Sequence, residues 1–254
     1  MNKAAVLLFL KTNKLIMESV KGKYILITGA TGGIGSAVAK MLHNSGAVVF
    51  LSGRNEEKLN NLAASLQVPQ TQYAPADLSI PQEVQQLKEK YFAALPQIDV
   101  LINASGIGII KNMDTLTETD FLNTLHYNLY APFLLLKQFL PAMKETKRGL
   151  IINIPGVLGK VPMAGAAAYS ASKYGLVGML QSVREELKRT DIRITNLFLG
   201  GVDSPFWDTI DLRVQRDKMI VAEEAAKAIW FLCQQPASGV VSEMVLQPFN
   251  HQAI

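Results

Sequence analysis

Short aliphatic runs alternate with helical patterns from Lys23 onward, and few architectures accept such an alternation. The predicted strands are residues 24–28, 47–52, 71–74, 98–104, 150–154, 193–199 and 240–247. The predicted helices are residues 36–44, 56–66, 82–91, 118–144, 168–188 and 222–232. Because the strands are apolar on nearly every residue, helices must cover both faces of the sheet. The sequence therefore predicts a doubly wound α/β fold with about seven parallel strands flanked by helices.

Length and composition favour one domain. Apolar residues make up 49% of the 254 residues, which is enough to bury a large core. No stretch combines Pro, Gly and Ser into a linker between two domains. We therefore predict a single domain over residues 21–254, preceded by an N-terminal extension over residues 1–20.

The formal net charge of +4 lies wholly within residues 1–23. Five lysines and Glu18 fall in that stretch, and the rest of the chain has 20 basic and 20 acidic residues. Interspersed charges of both signs offer no basic stripe for a nucleic acid. The apolar run 4–10 is shorter than the roughly 20 residues of a membrane span. We therefore expect no nucleic-acid partner and no membrane span.

The extension and the few metal-binding residue types carry weaker signals. The extension is either a peripheral helix or the product of a start codon assigned too early. In the second case, Met17 is the candidate for the true start. Cys233 is the only cysteine, which excludes an internal disulfide and a cysteine-based zinc site. The histidines at positions 43, 126 and 251 are far apart, so we expect no metal site. No signal-peptide cleavage site follows the apolar run, and a cytoplasmic location fits.

A glycine-rich segment follows the first predicted strand and opens the first helix. Glycines let the backbone approach a pyrophosphate at the helix N-terminus, where free amides and the helix dipole favour anions. The placement predicts a Rossmann dinucleotide site, and a glycine-rich turn without a ligand is the alternative. The residues expected to line this site are Gly29, Thr31, Gly33, Ile34 and Gly35.

The residue after the second strand bears on the choice of cofactor. A domain specific for NAD usually has an acid there, which pairs with the ribose hydroxyls. Here the first charged residue is Arg54, whose guanidinium can bind a 2′-phosphate with two hydrogen bonds. This favours NADP(H) as the cofactor and makes NAD the less favoured one. An ordinary exposed arginine before a helix is the alternative.

Further candidates follow the third and fourth strands. Asp77 is equally consistent with a turn cap and with a contact to the adenine. The segment after the fourth strand is equally consistent with a plain turn. The candidate cofactor residues in these two places are Asp77, Leu78, Asn103, Ala104 and Gly106.

Tyr169 and Lys173 stand four residues apart in a helical pattern, so they share one helix face. A free tyrosine has a pKa of about 10, but an adjacent ammonium stabilises its phenolate. Such a pair can exchange a proton with a substrate hydroxyl or carbonyl. By spacing alone, an ordinary surface pair is the more common explanation.

Together these segments resemble the classical short-chain dehydrogenase/reductase family over about residues 22–247. The glycine loop, Asp77-Leu78, the Asn-Ala-Ser-Gly segment at 103–106, Asn128 and the Tyr-x-x-x-Lys pair follow the family's order and spacing. The resemblance implies that Tyr169 is the proton donor or acceptor. It also implies that Lys173 lowers the pKa of Tyr169 and holds the nicotinamide ribose.

The resemblance further implies a catalytic role for Asn128, at a helix kink whose backbone carbonyl holds a water of the proton relay. An independent reason for a kink is Pro132, which has no amide hydrogen to give to that carbonyl. A purely structural kink is the alternative, and Pro141 is a second source of bending near the helix end.

Two positions depart from the family pattern. Gly156 occupies the place of a serine that hydrogen-bonds the substrate carbonyl, and losing such a donor costs roughly 10²- to 10³-fold in turnover. Either a backbone amide, a water or the substrate replaces that serine, or the protein no longer reduces carbonyls. Leu199 replaces the family's proline, while Gly200, Val202 and Ser204 still match the segment beside the nicotinamide.

Residues 203–220 are predicted to form a lid over the substrate. Apolar residues there and in the loop after the fifth strand favour a small hydrophobic carbonyl compound or alcohol. They are Phe206, Trp207, Ile210, Leu158, Val161, Pro162 and Met163. The alternative is that they only close the lid onto the body.

The resemblance implies a homodimer or homotetramer that pairs helices 118–144 and 168–188. The second of these carries Ala171, Gly175 and Gly178 on spaced turns, although small residues also let a helix approach its own sheet. The function that results is an NADP(H)-dependent oxidoreductase with Tyr169 as acid or base. The alternatives are a cofactor-binding regulatory or scaffold protein, and a non-redox isomerase or dehydratase.

Overall fold

The computed structural model describes residues 18–236 and 238–250, which contain nine strands and seven α-helices. The strands are β1 (Tyr24–Thr28), β2 (Val48–Gly53), β3 (Tyr73–Pro75), β4 (Val100–Asn103), β5 (Arg148–Asn153), β6 (Asp191–Leu199), β7 (Val202–Asp203), β8 (Ile220–Val221) and β9 (Glu243–Leu246). The helices are α1 (Gly33–Asn44), α2 (Glu56–Leu66), α3 (Pro81–Ala94), α4 (Glu118–Leu125), α5 (Ala131–Thr146), α6 (Ala167–Leu187) and α7 (Ala222–Leu232).

Seven of these strands form one sheet in the order β3-β2-β1-β4-β5-β6-β9, and every neighbouring pair is parallel. The predicted doubly wound sheet is thereby confirmed. Strand order reverses between β1 and β4, so the fold places its ligand crevice at the carboxyl ends of these two strands. The short parallel pair β7 and β8 is absent from the prediction, because two residues per strand are too few to show a period.

Helices cover both faces of the sheet. On one face, side chains such as Ile27 and Leu51 pack against α1, α2 and α7. On the other, Leu26 and Phe50 pack against α3, α5 and α6. The predicted helix over residues 118–144 is interrupted, since His126–Tyr130 form a π-helical turn between α4 and α5. Beyond it, α5 continues through Pro141.

A row of buried polar side chains crosses the carboxyl end of the sheet. The in-register residues are Ser52, Thr28, Asn103, Asn153 and Asn196, one on each of β2, β1, β4, β5 and β6. They point to the face covered by α3, α5 and α6, because residues two apart in a strand share a face. The apolar interior therefore gives way to polar chemistry at the edge where a ligand would lie.

The boundary of the predicted N-terminal extension stays a prediction. Residues 1–17, with the apolar run and Met17, lie outside the described part of the chain, as does His251. Val20 is buried in the core, and the Glu18 amide donates to the carbonyl of Gln234 at 3.1 Å. Residues 18–20 therefore pack with the domain.

Candidate active site

The glycine loop is packed so tightly that two of its positions admit no side chain. A Cβ on Gly29, whose φ is +68°, would lie 2.6 Å from the backbone of Ala104, and a Cβ on Gly35 would collide with the Gly29 carbonyl. The N-cap of α1 is Gly32, which has no side chain to cap the helix. The first-turn amides of α1 are therefore free of a side-chain partner, as a pyrophosphate requires.

The loop also contacts two other predicted cofactor segments. A Cβ on Gly33 would lie 2.6 Å from the Ser204 side chain, which places the segment after β7 directly against the loop. A Cβ on Gly53 would lie 2.8 Å from the Thr31 hydroxyl. Ile34 is partly buried against the core. The end of β2 and the lid therefore both border the loop.

At the adenosine end, Arg54 and Asp77 meet through a third residue. The Arg54 guanidinium carbon lies 4.6 Å from the centre of the Tyr127 ring, and the Tyr127 hydroxyl donates to Asp77 Oδ2 at 3.1 Å. The other oxygen of Asp77 accepts the Ser79 amide at 2.9 Å and the Ser79 hydroxyl at 2.7 Å. Asp77 therefore caps a turn, while Leu78 is buried in the core.

The carboxylate of Asp77 is held in its ionised form. Partial burial would raise its pKa, but the hydrogen bonds from Ser79 and Tyr127 and the charge of Arg54 outweigh burial and lower it.

The end of β4 is fixed by its own polar side chains. Asn103 Oδ1 accepts hydrogen bonds from the hydroxyls of Thr28 at 3.1 Å and Ser105 at 2.6 Å. A Cβ on Gly106 would lie 3.0 Å from Asn128 Oδ1 and 3.4 Å from Lys173 Nζ. Gly106 thus lies at the junction of the β4 loop with two predicted catalytic residues.

Asn128 is fully buried in the π-helical turn, and its side chain ties that turn to the β4 loop. Its Oδ1 accepts the Ile107 amide and its Nδ2 donates to the Ile107 carbonyl, both at 2.9 Å. Its Nδ2 also donates to the Ser172 hydroxyl at 3.2 Å, which in turn donates to the Tyr169 carbonyl at 2.7 Å. Asn128 is therefore linked to the helix that carries Tyr169 and Lys173.

Tyr169 and Lys173 lie together on the buried face of α6. Lys173 Nζ is 5.3 Å from the centre of the Tyr169 ring and donates to the Ile154 carbonyl at 3.4 Å. Burial raises the pKa of the Tyr169 phenol above its ordinary value and lowers the pKa of the Lys173 ammonium to about 8. In the protein alone, desolvation of the phenolate sets the direction of the Tyr169 shift, and the lowering of its pKa by Lys173 stays a prediction.

Gly156 has a backbone conformation that other residues rarely adopt. Its φ is +71° and its ψ is 166°, in a region essentially reserved for glycine. A Cβ there would lie 3.5 Å from the Leu199 carbonyl oxygen and 3.8 Å from the Tyr169 hydroxyl. Position 156 therefore faces the active site as the family's serine would, but on a backbone that suits glycine.

The predicted lid covers Tyr169 with an apolar ring. The rings of Phe206 and Tyr169 meet edge to face at 6.1 Å, and a Cβ on Gly108 would collide with Phe206 and approach Ile210 Cδ1 to 2.8 Å. Of the loop residues predicted to face the lid, Pro162 and Met163 are exposed, whereas Leu158 and Val161 are partly buried.

Polar contacts hold the lid segment together. Arg216 donates to Asp203 and Asp208, each at 2.6 Å, and to the Ser204 carbonyl at 2.8 Å. Val202 is buried and accepts the Trp207 indole N–H on its carbonyl at 2.9 Å. A Cβ on Gly200 would lie 2.6 Å from the Pro248 ring.

Four residues of this site are missing from the sequence prediction, namely Tyr127, Ser172, Gly108 and Arg216. Tyr127 adjoins Asn128, and Ser172 lies inside the Tyr-x-x-x-Lys segment, so predicted catalytic residues next to them could have pointed to both. Gly108 and Arg216 gave none, since their contacts join segments far apart in sequence.

The remaining features of the described residues are their metal-ligand types, the apolarity of their helices and Cys233. Among them, no three His, Cys, Asp or Glu side chains converge as metal ligands, and no helix has the length and apolarity needed to cross a bilayer. Cys233 is buried, which raises the pKa of its thiol to about 12.

Known proteins resemble the chain in sequence and in fold. A family model described as short chain dehydrogenase matches residues 23–214. An uncharacterised oxidoreductase of Staphylococcus epidermidis is 30% identical over 240 residues, which cover 91% of this chain and all of the relative. An alcohol dehydrogenase from Thermococcus sibiricus, solved with 5-hydroxy-NADP, superposes with a TM-score of 0.83 at 26% identity over 92% of this chain and 100% of its own. A metagenomic short-chain oxidoreductase solved with NADP has a TM-score of 0.78 at 32% identity, covering 91% and 99%.

Proposed function

Because the chain belongs to the short chain dehydrogenase family, we propose that it is an NADP(H)-dependent oxidoreductase acting on a carbonyl or hydroxyl carbon. The observation that carries this proposal is the pairing of the half-buried Tyr169 with the buried Lys173 beside the glycine loop and the end of β4. The substrate we propose is a small apolar molecule, because Phe206 and Ile210 line the approach to Tyr169 over Gly108.

The residues around the loop suit a dinucleotide. The uncapped amides of α1 would hold its pyrophosphate, Arg54 a 2′-phosphate, and Lys173 the nicotinamide ribose. We also assign Asp77, Asn103, Ala104, Val202 and Ser204 to the cofactor site, because they lie at or just after the carboxyl ends of β3, β4 and β6. When bound, the nicotinamide supplies or accepts the hydride. The neighbours solved with NADP and 5-hydroxy-NADP support NADP(H) as the cofactor.

Tyr169 is the acid or base of the proposed reaction. Its raised pKa keeps the hydroxyl protonated through the neutral range, so in the protein alone Tyr169 is placed as a proton donor but is a weak acid. Asn128 keeps the β4 loop against α6 through Ile107 and Ser172, and Pro132 offers no amide to its backbone carbonyl. That carbonyl is the acceptor for a relay water.

No side chain at position 156 assists Tyr169, and this feature supports a second class of function. A protein that binds NADPH without turnover, or a non-redox isomerase or dehydratase, would need the crevice but not a donor at Gly156. We favour the oxidoreductase, because Tyr169, Lys173 and Asn128 all lie at the crevice.

A homo-oligomer is also proposed, built on α4, α5 and α6. Ala171, Tyr174 and Gly178 point outward from α6, although Gly175 packs on Leu129 of the same chain. On α4, the π-helical turn and α5, the exposed apolar side chains are Phe121, Leu122, Tyr130 and Phe133.

The proposed reaction is tested by titrating NADPH by fluorescence and then screening carbonyl compounds with wild type, Tyr169→Phe and Tyr174→Phe. Tyr174 is 45% exposed on the same helix, so its variant is a matched control. We expect Tyr169→Phe to bind NADPH normally and to turn over about 10²- to 10⁴-fold more slowly. Full turnover in Tyr169→Phe would refute the mechanism. NADPH binding with no turnover of any carbonyl would favour the second class, and no NADPH binding would refute both.

A further inference from the structure

The adenosine end of the crevice holds a stack whose members come from three separate elements. Arg54 follows β2, Asp77 follows β3, and Tyr127 lies in the π-helical turn. The Arg54 guanidinium lies over the Tyr127 ring, with its central carbon 4.6 Å from the ring centre.

We infer that Tyr127 is a positioning residue for cofactor preference, which holds Arg54 where it can bind a 2′-phosphate. This inference rests on the proposed NADP(H) site.

The contact with Tyr127 does not give the Arg54 N–H groups a charged partner. A phosphate binds to those N–H groups with its oxygens, whereas the ring attracts the positive charge through its π-system. Within residues 18–236 and 238–250, Arg54 forms no salt bridge that would compete for those N–H groups. Arg54 is itself exposed, and without the ring its long side chain would sample many rotamers. Tyr127 thus reduces the conformational entropy that the Arg54 side chain loses when it binds a 2′-phosphate.

Tyr127 is in turn held at its far end. Its hydroxyl donates to Asp77 Oδ2 at 3.1 Å, and two hydrogen bonds from Ser79 fix the other oxygen of that carboxylate. The next residue, Asn128, is fixed to the β4 loop by its two bonds to Ile107. The ring is therefore anchored both through its hydroxyl and through its backbone.

The test is a thermodynamic cycle on cofactor affinity. Dissociation constants of NADPH and NADH are measured by fluorescence titration for wild type, Tyr127→Phe, Tyr127→Leu, Arg54→Leu and the double variant Arg54→Leu/Tyr127→Leu. We expect Tyr127→Leu to lower the preference for NADPH over NADH about twofold to fivefold, the usual worth of an exposed cation–π contact. Tyr127→Phe keeps the ring and should keep the preference. In the Arg54→Leu background, Tyr127→Leu should change the preference no further.

Each other result has a definite meaning. If Tyr127→Leu weakens the binding of NADPH and NADH equally, Tyr127 contacts the adenosine that both cofactors share, and the inference is overturned. The inference is also overturned if Tyr127→Leu still changes the preference in the Arg54→Leu background. If wild type binds neither cofactor, the proposed function fails rather than this inference. Tyr130→Leu is the matched control, since its ring is in the same turn but packs against His126 and Phe133. Tyr127→Met replaces Tyr127→Leu if the latter does not fold, as judged by thermal unfolding.

Discussion

The ammonium nitrogen of Lys173 lies 5.3 Å from the centre of the Tyr169 ring, and Lys173 is buried while Tyr169 is half-buried. Burial therefore acts on both titrations before any cofactor binds. It raises the pKa of the phenol and lowers that of the ammonium, so each neutral form is favoured. A charged ligand in the crevice would therefore change the pKa values of both side chains from those of the protein alone.

The first prediction concerns stability against pH. The pKa of Lys173 is about 8 in the folded chain and 10.5 ordinarily, so between these values the unfolded chain binds the proton that the folded chain has lost. The contribution of Lys173 to the free energy of unfolding therefore rises as pH increases from about 8 to 10.5. At about 1.4 kcal/mol per pKa unit, the rise is on the order of 3 kcal/mol.

This rise is measured by urea unfolding of wild type and Lys173→Met across that pH window. The buried ammonium penalises wild type below about pH 8, so wild type should gain stability relative to the variant as pH rises. Lys188→Met, at an exposed lysine next to the end of α6, is the control and should parallel wild type. Parallel curves for wild type and Lys173→Met would contradict the prediction.

The second prediction concerns Gly156. Because its φ of +71° and ψ of 166° suit glycine, Gly156→Ser and Gly156→Ala should each lose about 1 to 3 kcal/mol of stability. Alanine carries the same backbone strain without a hydroxyl, so it is the matched control. We expect neither variant to exceed wild-type turnover with carbonyl substrates. Turnover is measured as kcat, and the loss of stability as the shift of the urea midpoint. A serine variant of unchanged stability and at least about tenfold higher kcat would show that only the donor was missing.

The fold was predictable because its signals are local and repeated. The seven strands of the sheet and both helical layers follow from apolar periodicity, and the interruption near Asn128 follows from Pro132 four residues later. The conformation of Gly156 was not predictable, because it depends on how the chain leaves β5 beside Leu199 and Tyr169. The direction of the Tyr169 pKa shift was likewise not predictable, because the desolvation of its phenol depends on the packed structure.

The third prediction concerns the contact between Phe206 and Gly108. Gly108→Ala would push a methyl group into the Phe206 ring, and such overpacking typically costs about 1 to 3 kcal/mol. Phe206→Ala in the same chain should restore the lost stability, since it removes the colliding ring. Phe206→Ala alone should raise kcat/KM for bulky carbonyls relative to small ones.

Stability is followed by thermal unfolding and specificity by kcat/KM for a series of ketones of increasing size. Phe231→Ala, at a ring 43% exposed on α7, is the matched control and should leave the size preference unchanged. Additive losses in the Gly108→Ala/Phe206→Ala double variant would show that the two positions do not compete for space.

The fourth prediction concerns assembly. Leu122 and Phe133 are 51% and 40% exposed on α4 and α5, and side chains of that size usually pack against another surface when they cluster. If this face joins two subunits, a carboxylate at its centre would be desolvated without a partner, so Phe133→Glu should shift the protein toward monomer. Analytical ultracentrifugation measures the shift, and Ile80→Glu, at a residue equally exposed before α3, should sediment as wild type. A wild type that sediments as a monomer, or a Phe133→Glu variant that keeps the wild-type mass, would refute this interface.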